Sequence, residues 1–233
     1  MSYRLRLEIA PEEYAQMLAR GWRRFGHQFF RPHCPECARC RSLRVRVADF
    51  RPGKSQRRVL KKNHDLHLSI EPCSVSPRHI QLYNDYHAFM AVEKGWEYHP
   101  ISEEDYLGHF VGPRFPFAFD FLYYLGHELV AVGLVDIVGT LGSSIYFYHD
   151  PALRPRAPGT FSLLQELQYA QAHGITYHHL GYWVPECASM RYKGDYTPFE
   201  LLVGYPREDE EPSWVEPNDW QPILNSEVPE LIL

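Results

Sequence analysis

Apolar and polar residues alternate over 43–50 (LRVRVADF), the pattern of a strand with one buried face. Residues 117–125, 128–138 and 143–149 read as three further strands, with the first two joined by a tight turn at Gly126 to Glu128. Helical spacing appears elsewhere. Residues 11–20 start on Pro11 with Glu12 and Glu13 in the first turn and stop before Gly21. Residues 54–63 form a basic, helical segment. A third helix opens at Ser76-Pro77 and runs to about Val92, with Ile80, Tyr83, Tyr86, His87 and Met90 on one side. Ser102 to Asp105 has the spacing of a capping box. Residues 161–173 make an amphipathic helix that ends at Gly174. A strand over 175–183, a short helix over 186–192 and a strand over 199–203 follow.

This order predicts an α/β (α+β) fold without internal repeats. A Pro/Ser-containing stretch from Glu71 to Pro77 suggests a boundary. It separates a basic, cysteine-containing region (1–72) from a second domain (73–206). Residues 207–233 carry eight acids, one arginine and four prolines, and are expected to form an acidic, flexible tail.

Composition narrows the class. The chain has 233 residues, 45% apolar and 23% charged, so a disordered chain is excluded and a real core is expected. No apolar run approaches 18 residues, and the start lacks a continuous apolar h-region. A membrane span and a secretory signal are therefore not expected, and a cytoplasmic protein is. Five cysteines in such a chain fit metal binding or free thiols better than a disulfide framework.

The net charge of −5 hides a split: residues 1–70 carry +10 and residues 71–233 carry −15. Ten Lys/Arg and one acid, Asp49, fall within 39–62. Such a block neutralises phosphates and releases counterions, so a nucleic acid is the expected partner. Nearby Trp22, Phe25, Phe29 and Phe30 could stack on unpaired bases, or pack into the core. The loop carrying Arg154, Arg156 and Gly159 precedes a helix, where an anion could bind.

Cys34, Cys37 and Cys40 have two-residue spacing, which lets thiolates converge on one centre. Zinc and an Fe–S cluster are both compatible, with Cys73 or His33 as the fourth ligand. His149, His173, His178 and His179 cluster near Cys187 in sequence, but His178 and His179 must point to opposite faces of a strand.

Several long segments resemble one family. GWRRFGHQFFRPHCPECARCRSLRV and ADFRPGKSQRRVLKKN come first, followed by AVGLVDIVGTLGSSIYFYHDP, LLQELQYAQAHG, YHHLGYW and MRYKGDYTPFELL. In this order they resemble the arginyl-tRNA–protein transferases, which include the bacterial aspartate/glutamate leucyltransferases. The likeness spans about Tyr14 to Gly204. It departs at Pro158-Gly159-Thr160 and at Ser189.

The resemblance implies a GNAT-like (acetyltransferase-type) core in the second domain. It implies transfer of Arg or Leu from charged tRNA to protein N-termini beginning with Asp or Glu, which marks those proteins for degradation. No cofactor is then required for transfer. The aminoacyl ester is already activated, and the acceptor amine, with a pKa of about 8, must be neutral to attack. Asp136, Tyr146 and Tyr148, on the central strands, are the catalytic candidates. Arg191, Lys193 and Arg24 are the candidates for binding the acidic acceptor, with Arg23 a rival. Trp22, Arg23, Lys54, Arg57, Arg58, Lys61 and Lys62 are expected to bind tRNA. Two other readings are a non-catalytic metal- or Fe–S-dependent RNA-binding or redox-sensing module and an acyl-CoA acetyltransferase.

Overall fold

The computed structural model describes residues 1–112 and 114–222. Its centre is an eight-stranded sheet in the order β11-β10-β4-β9-β8-β7-β6-β5. The strands are β4 (Arg41–Arg46), β5 (Leu66–Pro72), β6 (Ala118–Leu125), β7 (Glu128–Val138), β8 (Leu141–His149), β9 (Tyr177–Trp183), β10 (Phe199–Leu202) and β11 (Trp214–Val215). Every neighbouring pair is antiparallel except β8 and β9.

Helices cover both faces, as the alternation within the strands demands. On β6, Leu122 joins Val132, Leu134 and Leu82 beneath α3 (Pro77–Lys94), while Phe121 and Tyr123 face Phe161 of α5 (Pro158–Ala172). On the α5 side, Leu164 and Leu167 pack against Leu43, Val45 and Leu201. The basic helix α2 (Lys54–Lys62) lies on α5. Helix α1 (Pro11–Ala19) buries Tyr14, Met17 and Leu18 beside a small sheet ordered β1-β3-β2. That sheet comprises β1 (Ser2–Leu5), β2 (Arg23–Phe25) and β3 (Gln28–Arg31). The capping box at Ser102 opens a one-turn helix, α4 (Glu103–Tyr106), that runs into a π-turn at Leu107–Val111.

Several expectations change. No strand is expected around Phe25 to Phe30, where β2 and β3 form a hairpin, and β5 occupies the stretch leading into the expected boundary. Strand β4 ends at Arg46, and Val47–Asp49 form a 3-10 turn. The helix expected over 186–192 is replaced by turns and a 3-10 turn at Arg191–Asp195. Because β4 and β5 both lie in the large sheet, the division at residue 72 does not separate two sheets. The described part of the acidic segment is also built onto the core. Trp214 and Val215 pair with β10, and the Trp220 indole donates to the Leu202 carbonyl at 2.8 Å. Residues 223–233 lie outside the described residues.

Candidate active site

Strands β8 and β9 run parallel and are paired only from Leu141↔Tyr177 to Ser143↔His179. Beyond Ser143 they part, because each is drawn to its other neighbour: β8 to β7 and β9 to β4. The parting opens a cleft of about 470 Å³. Its apolar wall includes Met90 and Trp96 from and beyond α3, Tyr146 and Phe147 of β8, and Leu163 of α5. Ser144, Glu166, Tyr192 and Lys193 add polar groups.

Two cations meet beside this cleft: Lys193 lines it, and Arg23 lies next to Lys193 across Gly181. The Arg23 side chain enters from β2 and is only 7% exposed. It donates to Ser143 Oγ at 2.6 Å and to the Ser144 carbonyl. Lys193, in the 3-10 turn after β9, donates to the Tyr182 carbonyl at 2.8 Å. The backbone between them is Gly181, whose φ of +81° favours glycine. A Cβ there would lie 3.4 Å from Arg23 Nε and 3.5 Å from Lys193 Nζ. Among the described residues neither cation has a carboxylate partner. Burial, and then the Arg23 charge, lower the Lys193 ammonium to a pKa of about 8.

Beside them lies a buried polar network. Glu166 Oε2 accepts from Ser144 Oγ and lies 2.9 Å from His178 Nε2. Glu166 Oε1 accepts from Ser162 Oγ at 3.0 Å, and Ser162 Oγ accepts from Tyr123. Glu166 is thus fully engaged as a buried acid should be. His178 is packed over Gly142, where a Cβ would sit 2.3 Å from its Nδ1. His179 faces the opposite way, onto Trp214. Sequence reasoning singles out neither Glu166 nor Ser144. The signal is there to read: Glu166 interrupts the apolar face of α5 one turn after Ser162.

The structure sorts the sequence candidates. Asp136 is 1% exposed and is held by the Arg24 guanidinium on both oxygens and by Tyr14 Oη at 2.6 Å. It therefore serves as a packed ion pair and cannot reach a substrate. For the same reason Arg24, 3% exposed, cannot bind an acceptor. Tyr148 is fully buried and bonded to Tyr106 Oη at 2.6 Å, so it too is structural. Tyr146 does line the cleft, with its hydroxyl 2.8 Å from His87 Nε2. Burial raises its phenol well above the ordinary range, so it stays a hydrogen-bond donor. Lys193 lines the cleft, whereas Arg191 is exposed on the same turn.

Trp22 is 3% exposed and sandwiched between Arg4 and Arg31 at 4.5 and 4.9 Å, so no base can stack on it. Arg23 points inward, onto Ser143 and Ser144 beside the cleft, and not outward. Lys54, Arg57, Arg58, Lys61 and Lys62 are all exposed on α2. The end of α2 is tied to the turn before α5: Lys62 Nζ donates to the Pro155 carbonyl and Arg156 to the Lys62 carbonyl. Arg154 and Arg156 carry carboxylate partners, Glu93 and Asp65, so they do not form an open anion cradle.

The cysteines split. Cys34 and Cys37 meet across an isolated antiparallel bridge, and the nearby Cys40 thiol is raised by burial and by these two neighbours. Cys73 lies elsewhere, at the end of β5, with its thiol 3.1 Å from Asp120 Oδ1. Burial and that carboxylate push the Cys73 thiol up, away from the thiolate a metal requires. Among the described residues no three His, Cys, Asp or Glu are arranged to hold a metal ion. The four-cysteine set therefore does not fit a single metal or cluster.

The chain is similar to known proteins over most of its length. Residues 2–58 match the N-terminal model of the arginine-tRNA-protein transferases, and residues 78–203 match the C-terminal model. The chain belongs to this family. A member of it is an aminoacyltransferase. Among the curated relatives, the aspartate/glutamate leucyltransferase of Helicobacter hepaticus is 38% identical over 206 residues, covering 88% of this chain and 86% of the relative. That of Campylobacter jejuni strain RM1221 is 39% identical over 199 residues, covering 85% and 83%. The solved structure of FemX superposes with a TM-score of 0.51 at 11% identity, covering 81% of this chain and 66% of FemX. This likeness supports the GNAT-like core. No helix among the described residues is long and apolar enough to cross a membrane.

Proposed function

We propose that this transferase moves leucine from Leu-tRNA to the α-amine of proteins beginning with Asp or Glu, in the cytoplasm, marking them for degradation. The observation that carries this reading is the pair of neighbouring cations without a carboxylate partner among the described residues, Lys193 lining the cleft and Arg23 beside it across Gly181, next to a largely aromatic and apolar wall. A buried cation without an anion is costly unless a ligand supplies one. The side-chain carboxylate of an acidic N-terminal residue is such a ligand, and Arg23 is the fixed charge that binds it. The apolar wall suits a leucyl side chain. An arginyl side chain would need a carboxylate, and the one lining the cleft, Glu166, is already bonded by two serines and His178.

Positioning supplies much of the rate, because the ester is already activated. Tyr146, held protonated, is placed to donate a hydrogen bond to an ester oxygen as charge develops. The exposed basic face of α2 is the tRNA surface, joined to the cleft through the turn that opens α5. Cys34, Cys37 and Cys40 are not arranged to hold a metal ion among the described residues, and no step of the transfer is routed through one.

The test is transfer of labelled leucine or arginine from each charged tRNA to peptides differing only in the first residue. Leucine transfer to Asp- and Glu-peptides, and not to Ala- or Lys-peptides, is expected. Transfer of arginine alone would overturn the donor assignment, and transfer without regard to the first residue would overturn the acceptor assignment.

A further inference from the structure

The two cations are not equivalent. Arg23 is a guanidinium that stays charged, bonded to two strand oxygens. Lys193 is half-buried and donates to a neutral carbonyl, that of Tyr182, which accepts equally from an ammonium or an amine. Its turn is pressed onto β9. A Cβ at Gly194 would lie 3.0 Å from the Trp183 ring, and the Trp183 indole donates to the Arg191 carbonyl at 3.3 Å. The Lys193 amine is therefore held in the cleft beside a permanent positive charge, in a setting that tolerates its neutral form.

We propose that Lys193 is the group that removes the proton from the acceptor's α-ammonium, while Arg23 holds the acceptor's side-chain carboxylate. This inference rests on the acceptor reading above and deepens it. With its pKa lowered to about 8, Lys193 matches the α-ammonium it must deprotonate, also about 8. Lysines lose their proton readily when buried, and arginines do not. Lys193 lies beside Arg23 of β2 across Gly181 and donates to the Tyr182 carbonyl of β9, and it shares the cleft lining with the titratable groups Lys94 of α3, Tyr146 and His149 of β8, Glu166 of α5 and Tyr192 of its own turn. Of these, Arg23 is the one whose charge lowers the Lys193 pKa.

The step balances. The α-ammonium gives one proton to neutral Lys193 Nζ, which becomes an ammonium. The freed amine forms a C–N bond to the ester carbonyl carbon, and the C–O bond to the tRNA ribose breaks. One of the amine's two remaining protons goes to the departing ribose oxygen. Lys193 then returns its proton to water.

Lys193→Arg keeps the charge and removes the ability to accept a proton. With charged Leu-tRNA and an Asp-peptide at pH 7, kcat should fall about 100-fold with little change in the peptide KM. The deficit should shrink as pH rises past about 8, where the acceptor amine loses its proton unaided. Lys193→Gln, checked for an intact thermal transition, should show the same pH-dependent deficit. That second variant covers the case in which arginine does not fit. A Lys193→Arg enzyme with wild-type kcat, or with only a raised KM, would show that Lys193 is merely a second cation and would overturn the proposal. A deficit of equal size at every pH would do the same. Loss of selectivity for acidic peptides in the wild type would instead strike the acceptor reading itself.

Discussion

Asp136 and Lys193 both belong to motif segments, yet burial sends them to opposite fates. Asp136→Asn weakens a fully desolvated pair and leaves the Arg24 guanidinium with an imperfect partner. Unfolding in urea should register a loss of about 3–5 kcal/mol. Activity per folded molecule should be unchanged, since neither oxygen of Asp136 is free to touch a substrate. Sequence places Asp136 on a central strand, but it does not show that Arg24, more than a hundred residues earlier, claims it. The same blindness applies to Arg23 and Arg24. They are adjacent on a strand, so one reaches Ser143 beside the cleft and the other Asp136 in the core. Which does which is decided by the strand's neighbours. Lys193 is legible because its motif supplies a cation, but its neutral partner and its proximity to Arg23 are not.

At the scale of elements, long periodic segments are legible: α1, α2, α3, α5, β6, β7, β8 and β9 stand close to where patterning puts them. Strands β1, β2, β3 and β5 are not, because they owe their existence to partners distant in sequence or to a hairpin pairing that alternation alone does not announce. Helix α2 is the clearest functional element that sequence supplies. It presents Arg57, Arg58, Lys61 and Lys62 to solvent, and none of them carries a salt bridge among the described residues. Replacing these four with Gln should weaken tRNA binding uniformly across tRNA sequences. It should also flatten the plot of log affinity against log salt by about 0.7–0.9 for each phosphate that is no longer neutralised. Thermal stability should change little, since exposed charges contribute little to folding. An unchanged salt slope would mean that tRNA lies on another face.

Across the whole molecule, the −5 net charge resolves into surfaces with different work. The basic stretch supplies α2, but it also supplies β4 to the middle of the large sheet. The acidic stretch, expected to be free, instead returns to the core, with β11 on β10 and Arg20 donating to carbonyls of residues 207, 208 and 210. Ending the chain after residue 206 should therefore lower the melting temperature and expose β10 as an edge prone to association, seen as aggregation on heating. Composition misleads there because charge and proline report solubility, and aromatic packing outweighs them: Trp214 on His179, Trp214 under Arg44 and Trp220 under Arg41. The place of β4 has one more consequence. It lies between β9 and β10, so both of its partners are synthesised more than 130 residues after it. On the ribosome, β4 must wait with both edges bare until residues 177–202 have emerged, and the active cleft cannot exist before then. Completion of this sheet is thus expected late in the chain's own translation and limited by slow, long-range pairing, with the edges of β4 exposed to association until then.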